Sequence, residues 1–229
     1  MRQQWHDLLF AHWRLHPAAL RACVPQPLEL DLWDGQAYLA VTPFSVRGLR
    51  PPGFLALPGI SHFAEINVRT YVVYGGVSGV YFFSLDATNL SAVVAARVLY
   101  ALPYYRARIS IEWHKQQIRY HSRRLQARQA PEFRATYCPT SDLLPWQSPR
   151  ESLERFLTER YCLYALSGRR VYRTAIHHVP WPLQAANAEI EANTMTAPLG
   201  LTLPHSPTLI HFSKFVDVLI WWPQHVASK

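Results

Sequence analysis

Residues 63–109, FAEINVRTYVVYGGVSGVYFFSLDATNLSAVVAARVLYALPYYRARI, decide the fold, because they hold two strand patterns, one helix pattern and the densest group of polar residues among apolar ones. From Phe63 to Tyr74 the chain alternates. Ala64, Ile66, Val68, Thr70 and Val72 fall on one side, and Phe63, Glu65, Asn67, Arg69 and Tyr71 on the other. That is the two-residue period of a strand whose faces meet different environments. Gly75-Gly76-Val77-Ser78 then supplies glycines able to take positive φ, and Gly79 to Ala87 resumes the pattern, which predicts a hairpin. With Tyr74 set opposite Gly79, Arg69 falls opposite Ser84, Asn67 opposite Asp86 and Tyr71 opposite Phe82 on one face. Val68 meets Leu85 and Thr70 meets Phe83 on the other.

One face of this hairpin is apolar, and the other carries Glu65, Asn67, Arg69, Ser84 and Asp86. Two environments suit such a face: open solvent beside an antiparallel sheet, or the interior of a barrel or cone where carboxylates and a guanidinium converge on a ligand. Glu65 and Arg69 lie roughly 13 Å apart along their strand, so Asp86, diagonal to Arg69, is its expected partner. Thr88 or Asn89 caps a helix through Ala101, with Leu90, Val94, Val98 and Ala101 at helical spacing and Pro103 closing it. Arg97 reads as a charge snorkelling at that helix's edge.

Working outward toward the N-terminus, Trp5 to Arg14 is a short strand or helix, and Pro17 to Cys23 a short helix. Leu28 to Leu32 and Gln36 to Val46 are expected to pair around Asp34-Gly35. The Pro/Gly-rich stretch Leu49 to Gly59 has the length of a lid, and its Phe54, Leu55 and Leu57 are expected to pack over something. In the other direction, Tyr104 to Trp113 and Gln117 to Arg124 form a hairpin with Lys115 exposed in its turn, and Glu132 to Tyr137 adds a strand. Ser148-Pro149-Arg150-Glu151 is a capping box that starts a helix to about Ala165, ended by Ser167-Gly168. Val171 to His178 is a strand that points His177 and His178 to opposite faces, so the two cannot share a metal without distortion, and no metal site is expected. His178 with Trp181 can serve a ligand, although a buried histidine bonded to backbone is the commoner case. Glu189, Glu191 and Asn193 lie on one side of a strand. Leu209 to Trp222 is the closing strand, in which Lys214 is expected to bury its stem and keep its ammonium in water.

At 229 residues, with 49% hydrophobic and 17% charged residues, the chain is long and apolar enough for one domain, 1–229, with a substantial core. No apolar run reaches membrane-spanning length, and His6, Asp7, His12 and Arg14 interrupt the N-terminal apolar residues, which excludes a secretory core. Cys23, Cys138 and Cys162 are scattered, which points away from a zinc knuckle or a disulfide frame and toward a cytoplasmic protein. The net charge of +8 raises nucleic acid as a partner. The densest basic group, Arg119, Arg123, Arg124, Arg128 and Arg134, lacks a nucleic-acid-binding motif, so neither nucleic acid nor membrane is expected.

The order of strand, Gly-rich turn, strand, helix and Leu-Pro-Tyr-Tyr resembles the acetoacetate decarboxylase-like superfamily. Within it, the stretches LLFAHWRLHPAALRACVPQPLELDLWDGQAYLAVTPF, FAEINVRTYV, GVYFFSLDA, ARVLYALPYYRA, FLTERYCLY and HHVPW resemble the YqjF-type family of uncharacterised proteins, over nearly the whole chain. The superfamily implies a β-rich barrel or cone, and a lysine in a Pro-Lys-Lys motif that forms a Schiff base with a keto acid. This chain has Pro103-Tyr104-Tyr105 at that place. A phenol cannot form an imine, so the resemblance carries the fold and not the decarboxylase mechanism.

The fold expected is a β-rich α+β domain, an antiparallel barrel or cone with two main helices outside it. The function expected is a small-molecule site lined by Glu65, Arg69, Asp86, Tyr104 and Tyr105 that holds an anionic or keto-acid-like metabolite, with no cofactor, catalysis undecided and self-association open. The alternative is a non-catalytic binding or protein-interaction module.

Overall fold

The computed structural model describes residues 1–51, 53–56, 59–125, 130–143 and 152–227. In chain order they form β1 (Arg2–Leu15), α1 (Pro17–Arg21), β2 (Glu29–Leu30), β3 (Ala37–Arg50), β4 (Phe63–Tyr74), β5 (Val77–Ala87), α2 (Leu90–Tyr100), β6 (Tyr104–His114), β7 (Gln117–Arg124) and β8 (Glu132–Leu143). There follow α3 (Leu153–Thr158), β9 (Cys162–Ser167), β10 (Arg170–His177), β11 (Leu183–Asn193), β12 (Leu209–Ile220) and β13 (Gln224–Val226).

The strands join one sheet in the order β13-β10-β9-β5-β6-β7-β8-β11-β12-β1-β3-β4-β2, with two further pairings, β10 to β12 and β5 to β4. Those two pairings turn the sheet back on itself. From β4 the circuit passes through β5, β9, β10, β12, β1 and β3 and returns to β4. A second path from β5 to β12 runs through β6, β7, β8 and β11, so β12, β1, β3, β4 and β5 form a wall shared by both circuits.

A shared wall is packed on both faces, which is why β4 is buried almost end to end, as are Asp7 to Trp13 of β1 and Ala37 to Phe44 of β3. Ile66 and Val68 of β4 join Trp13, Val41, Tyr120 and Phe133 in one apolar cluster. On the opposite face Tyr71 joins Phe10, Phe44, Phe82, Leu163 and Val218 in another. The polar face of β4 therefore does not meet solvent.

Two bulges redirect side chains in this wall. Asp7 of β1 sits at φ 55°, in the left-handed region, and the register of β1 against β3 shifts between His6 and Ala11. The alternation changes phase there, so Gln3 and Trp5 before the bulge and Leu8 after it all line the same cavity. The second bulge lies in the central hairpin and corrects the expected register. Tyr74 pairs with Val77 and not Gly79, because Gly75 and Gly76 alone, both at positive φ, make a two-residue turn. Arg69 consequently lies opposite Phe82 and not Ser84. The register then shifts between Val68 and Arg69, leaving Val68 opposite Ser84, Asn67 opposite Leu85 and Ile66 opposite Asp86. Phe83 is the extra residue, and beyond it Asp86 belongs to the face opposite the one expected.

Other expectations are corrected as well. The segment Trp5 to Arg14 lies inside a 14-residue strand. The Leu28–Leu32 segment pairs with β4 through β2, so it is not the hairpin partner of β3, which pairs with β1 and β4. Phe54 and Leu55 are 70% and 86% exposed, so they cover nothing, and Leu57 lies outside the described residues. The capping box Ser148 to Glu151 also lies outside them. The helix after it, capped by Ser152, ends at Thr158, and Cys162 to Ser167 is strand and not helix. In α2, capped by Asn89, the buried residues are Ala92, Val93 and Tyr100, whereas Leu90, Val94 and Val98 point outward. No described helix is long and apolar enough to cross a membrane.

Candidate functional site

A cavity of about 150 Å³ lies on the polar face of β4, enclosed by β1, β3, β5 and β9 and reached beside α2. Ala95 and Leu99 of α2 line it and are themselves exposed, which marks its mouth. Most of its wall is apolar, including Leu8, Phe44, Phe63, Leu85, Leu163 and Ile220. The polar side chains that break this wall come chiefly from β3 and β4: Thr42, Glu65, Asn67 and Arg69, with Gln3 of β1 and Tyr104 of β6.

Glu65 is 3% exposed, and the Tyr104 hydroxyl donates a hydrogen bond to its Oε2 at 2.9 Å. Burial pushes the Glu65 carboxyl up to about 8, against the downward pull of the Tyr104 bond and with a further push from Asp86. The carboxyl thus keeps its proton at neutral pH and can donate as well as accept. Its backbone is fixed from behind, where the Tyr120 hydroxyl donates to the Glu65 carbonyl at 2.7 Å.

Arg69 is 8% exposed, and its Nε has no hydrogen-bond partner. The guanidinium carbon stands 5.3 Å from the centre of the Phe10 ring. Burial lowers its pKa, the neighbouring Tyr71 hydroxyl raises it, and Arg160 lowers it further. Behind Arg69, Tyr71 lies 2.8 Å from His12 Nε2, and burial holds His12 well below its usual range, so this imidazole is neutral. Among the described residues no carboxylate pairs with Arg69.

Asp86, its expected partner, is bound elsewhere. Arg124 grips it through Nε and Nη2 at 2.9 and 2.8 Å, and the Arg124 guanidinium lies 3.9 Å over the ring of Tyr105. Asp86 therefore forms a buried pair with Arg124, capped by the half-buried Tyr105, and neither Asp86 nor Tyr105 lines the cavity, whereas Glu65, Arg69 and Tyr104 do. Arg97 bonds the Tyr104 carbonyl at 2.6 Å and faces the Tyr105 ring, so it pins the start of β6.

The remaining candidates fall outside the cavity. His178 is buried, bonded to the Val179 carbonyl at 2.7 Å and packed on Trp181, whose indole donates to the Thr158 carbonyl. Lys214 pairs with Asp7 at 2.6 Å and lies over the Trp113 ring with its side chain 60% exposed. Lys115 is exposed in the β6–β7 turn. The sequence reading missed Gln3 and Thr42. Thr42, one polar residue within the apolar run from Tyr38 to Phe44, is the sole signal that pointed to β3. Gln3 gave none, because the Asp7 bulge that aims it inward leaves no periodic trace.

The strand-rich fold, with its sheet turned back on itself, is similar to that of acetoacetate decarboxylase-like proteins. The structure resembles acetoacetate decarboxylase from Legionella pneumophila with a TM-score of 0.69 and 12% identity, covering 99% of this chain and 87% of that one. It also resembles the enduracididine biosynthesis enzyme MppR complexed with pyruvate, with a TM-score of 0.63 and 12% identity, covering 99% of this chain and 90% of that one. The family model DUF2071, described as an uncharacterized conserved protein, matches residues 2–217, and the chain belongs to that family. The uncharacterized protein YqjF of Bacillus subtilis is 46% identical over 221 residues, covering 96% of this chain and 90% of that protein.

Proposed function

We propose that this protein binds a small carboxylate, an anionic or keto-acid-like metabolite, in the cavity on β4. Arg69 receives the anion, the apolar wall receives the body of the ligand, and Glu65 with Tyr104 hydrogen-bonds any polar group at the far end. The observation that carries this reading is Arg69: a buried guanidinium without a carboxylate costs several kcal/mol, and a bound anion offsets that cost. A cavity of this volume suits a ligand of about six to eight non-hydrogen atoms, since one of similar size holds benzene. The pyruvate complex of MppR supports the choice of class.

The reading is one of binding, and no reaction is assigned. Imine chemistry is not part of it, because Tyr104 occupies the motif position and no lysine lines the cavity among the described residues. A second reading has one observation in its favour. Leu90, Val94 and Val98 on the outer face of α2 are all at least half exposed, as befits a surface that docks another macromolecule.

Native mass spectrometry of the folded protein titrated with pyruvate and acetoacetate tests the proposal. The wild type is expected to retain one molecule of acid and Arg69→Ala none, and borohydride added to the mixture should leave the protein mass unchanged. Equal retention by both proteins would overturn the role of Arg69, and none by either would favour the docking reading. A stable adduct on Lys214 would overturn the exclusion of imine chemistry.

A further inference from the structure

Between the two ends of the site lies a pair of polar atoms that a keto acid does not satisfy. Thr42 and Asn67 are direct partners in the β3–β4 ladder and both line the cavity, so their side chains stand side by side on one face. They are 1% and 4% exposed, and neither Thr42 Oγ1 nor Asn67 Oδ1 has a hydrogen-bond partner. An unpaired polar atom at that depth is unfavourable, and two facing one cavity define what should sit between them.

The chemistry of the two atoms is complementary in a particular way. Asn67 Oδ1 only accepts, whereas the Thr42 hydroxyl can donate. A ligand hydroxyl satisfies both, because it donates to Asn67 and accepts from Thr42. A ketone oxygen accepts from Thr42 and leaves Asn67 unpaired, and a methylene satisfies neither. Arg69 is the next residue of β4 on the same face, and that two-residue step is about 6.6 Å. A carboxylate on Arg69 and a hydroxyl at the Thr42–Asn67 pair are therefore separated by two or three carbons.

We infer that the site selects a short aliphatic 3- or 4-hydroxy acid over the corresponding simple or keto acid, with Asn67 and Thr42 as the specificity-determining residues. The inference rests on the proposal that Arg69 binds a carboxylate, and it adds what the rest of the molecule bound there must carry. It takes a feature of the β3–β4 ladder that the charged residues alone do not require.

Isothermal titration of the purified protein with butyrate, acetoacetate, 3-hydroxybutyrate and 4-hydroxybutyrate separates the two claims. At least one hydroxybutyrate is expected to bind on the order of tenfold more tightly than butyrate and acetoacetate, the effect of one well-made hydrogen bond. Asn67→Leu should abolish that preference while butyrate still binds. Equal affinity for all four acids in the wild type, or a preference that survives in Asn67→Leu, would overturn the inference and leave the carboxylate site standing. If none of the four binds the wild type, the carboxylate site itself fails and this inference with it. Thr42→Val serves as a second variant should Asn67→Leu not fold, with the same expected loss of preference.

Discussion

Glu65 holds a proton that an exposed glutamate would have lost, and this has a consequence for stability that can be measured. Its folded pKa, about 8, lies above the ordinary value of 4.5 that it regains on unfolding. Between those values the folded chain carries a proton that the unfolded chain has released, so the contribution of Glu65 to stability falls as pH rises through the window from 4.5 to about 8. The neutral buried histidines His12, His178 and His211 act in the opposite direction, since their lowered pKa values cost stability as pH falls below 6.5. Glu65→Gln keeps an acceptor for Tyr104 and removes the titration. Chemical denaturation at pH 5 and pH 8 should show the wild type losing several kcal/mol relative to Glu65→Gln over that interval, and parallel pH profiles would contradict the assignment. The sequence made Glu65 and Arg69 legible, with Asn67 between them, as the polar residues on one face of the strand. It could not show that Glu65 is neutral, because that follows from walls supplied by residues as distant as Phe44, Leu163 and Ile220.

At the scale of elements, the strands were legible and their phase was not. The alternation from Phe63 to Tyr74 gave β4 its correct bounds and its two faces. A one-residue bulge at Phe83 leaves the alternation of residue types intact while turning Asp86 away from Arg69, and no local pattern announces it. The helical spacing of Leu90, Val94 and Val98 gave α2 without its orientation: that stripe faces out, and Ala92, Ala95 and Ala96 line the cavity with Leu99 and Tyr100. The same phase shift gives Asp86 a structural part with Arg124. Their bidentate pair is buried, with side chains 0% and 8% exposed, so Arg124→Met leaves an unpaired carboxylate in the core. Urea denaturation should show a loss of about 3–5 kcal/mol for this variant. The double variant Asp86→Leu with Arg124→Met should recover much of it, and carboxylate affinity should be preserved wherever the protein is folded. A loss below about 1 kcal/mol for Arg124→Met would show that the pair is not isolated from water.

Seen as a whole molecule, the chain closes a sheet around a small, largely apolar cavity in which, among the described residues, Arg69 has no carboxylate partner. The resemblance carried by the Pro103-Tyr104-Tyr105 segment and its flanking strands anticipated the class of fold. The circuit of pairings was not legible, because β5 to β9, β10 to β12 and β5 to β4 join segments whose partners no turn specifies except the last. The central claim is that Arg69 is the anion receptor of this cavity. A crystal structure of the protein soaked with 3-hydroxybutyrate or 4-hydroxybutyrate tests it most directly. The account predicts a carboxylate hydrogen-bonded to the Arg69 guanidinium, with the hydroxyl between Thr42 Oγ1 and Asn67 Oδ1. A fully occupied ligand elsewhere on the protein, or a cavity that stays free of both acids at saturating concentration, would contradict it.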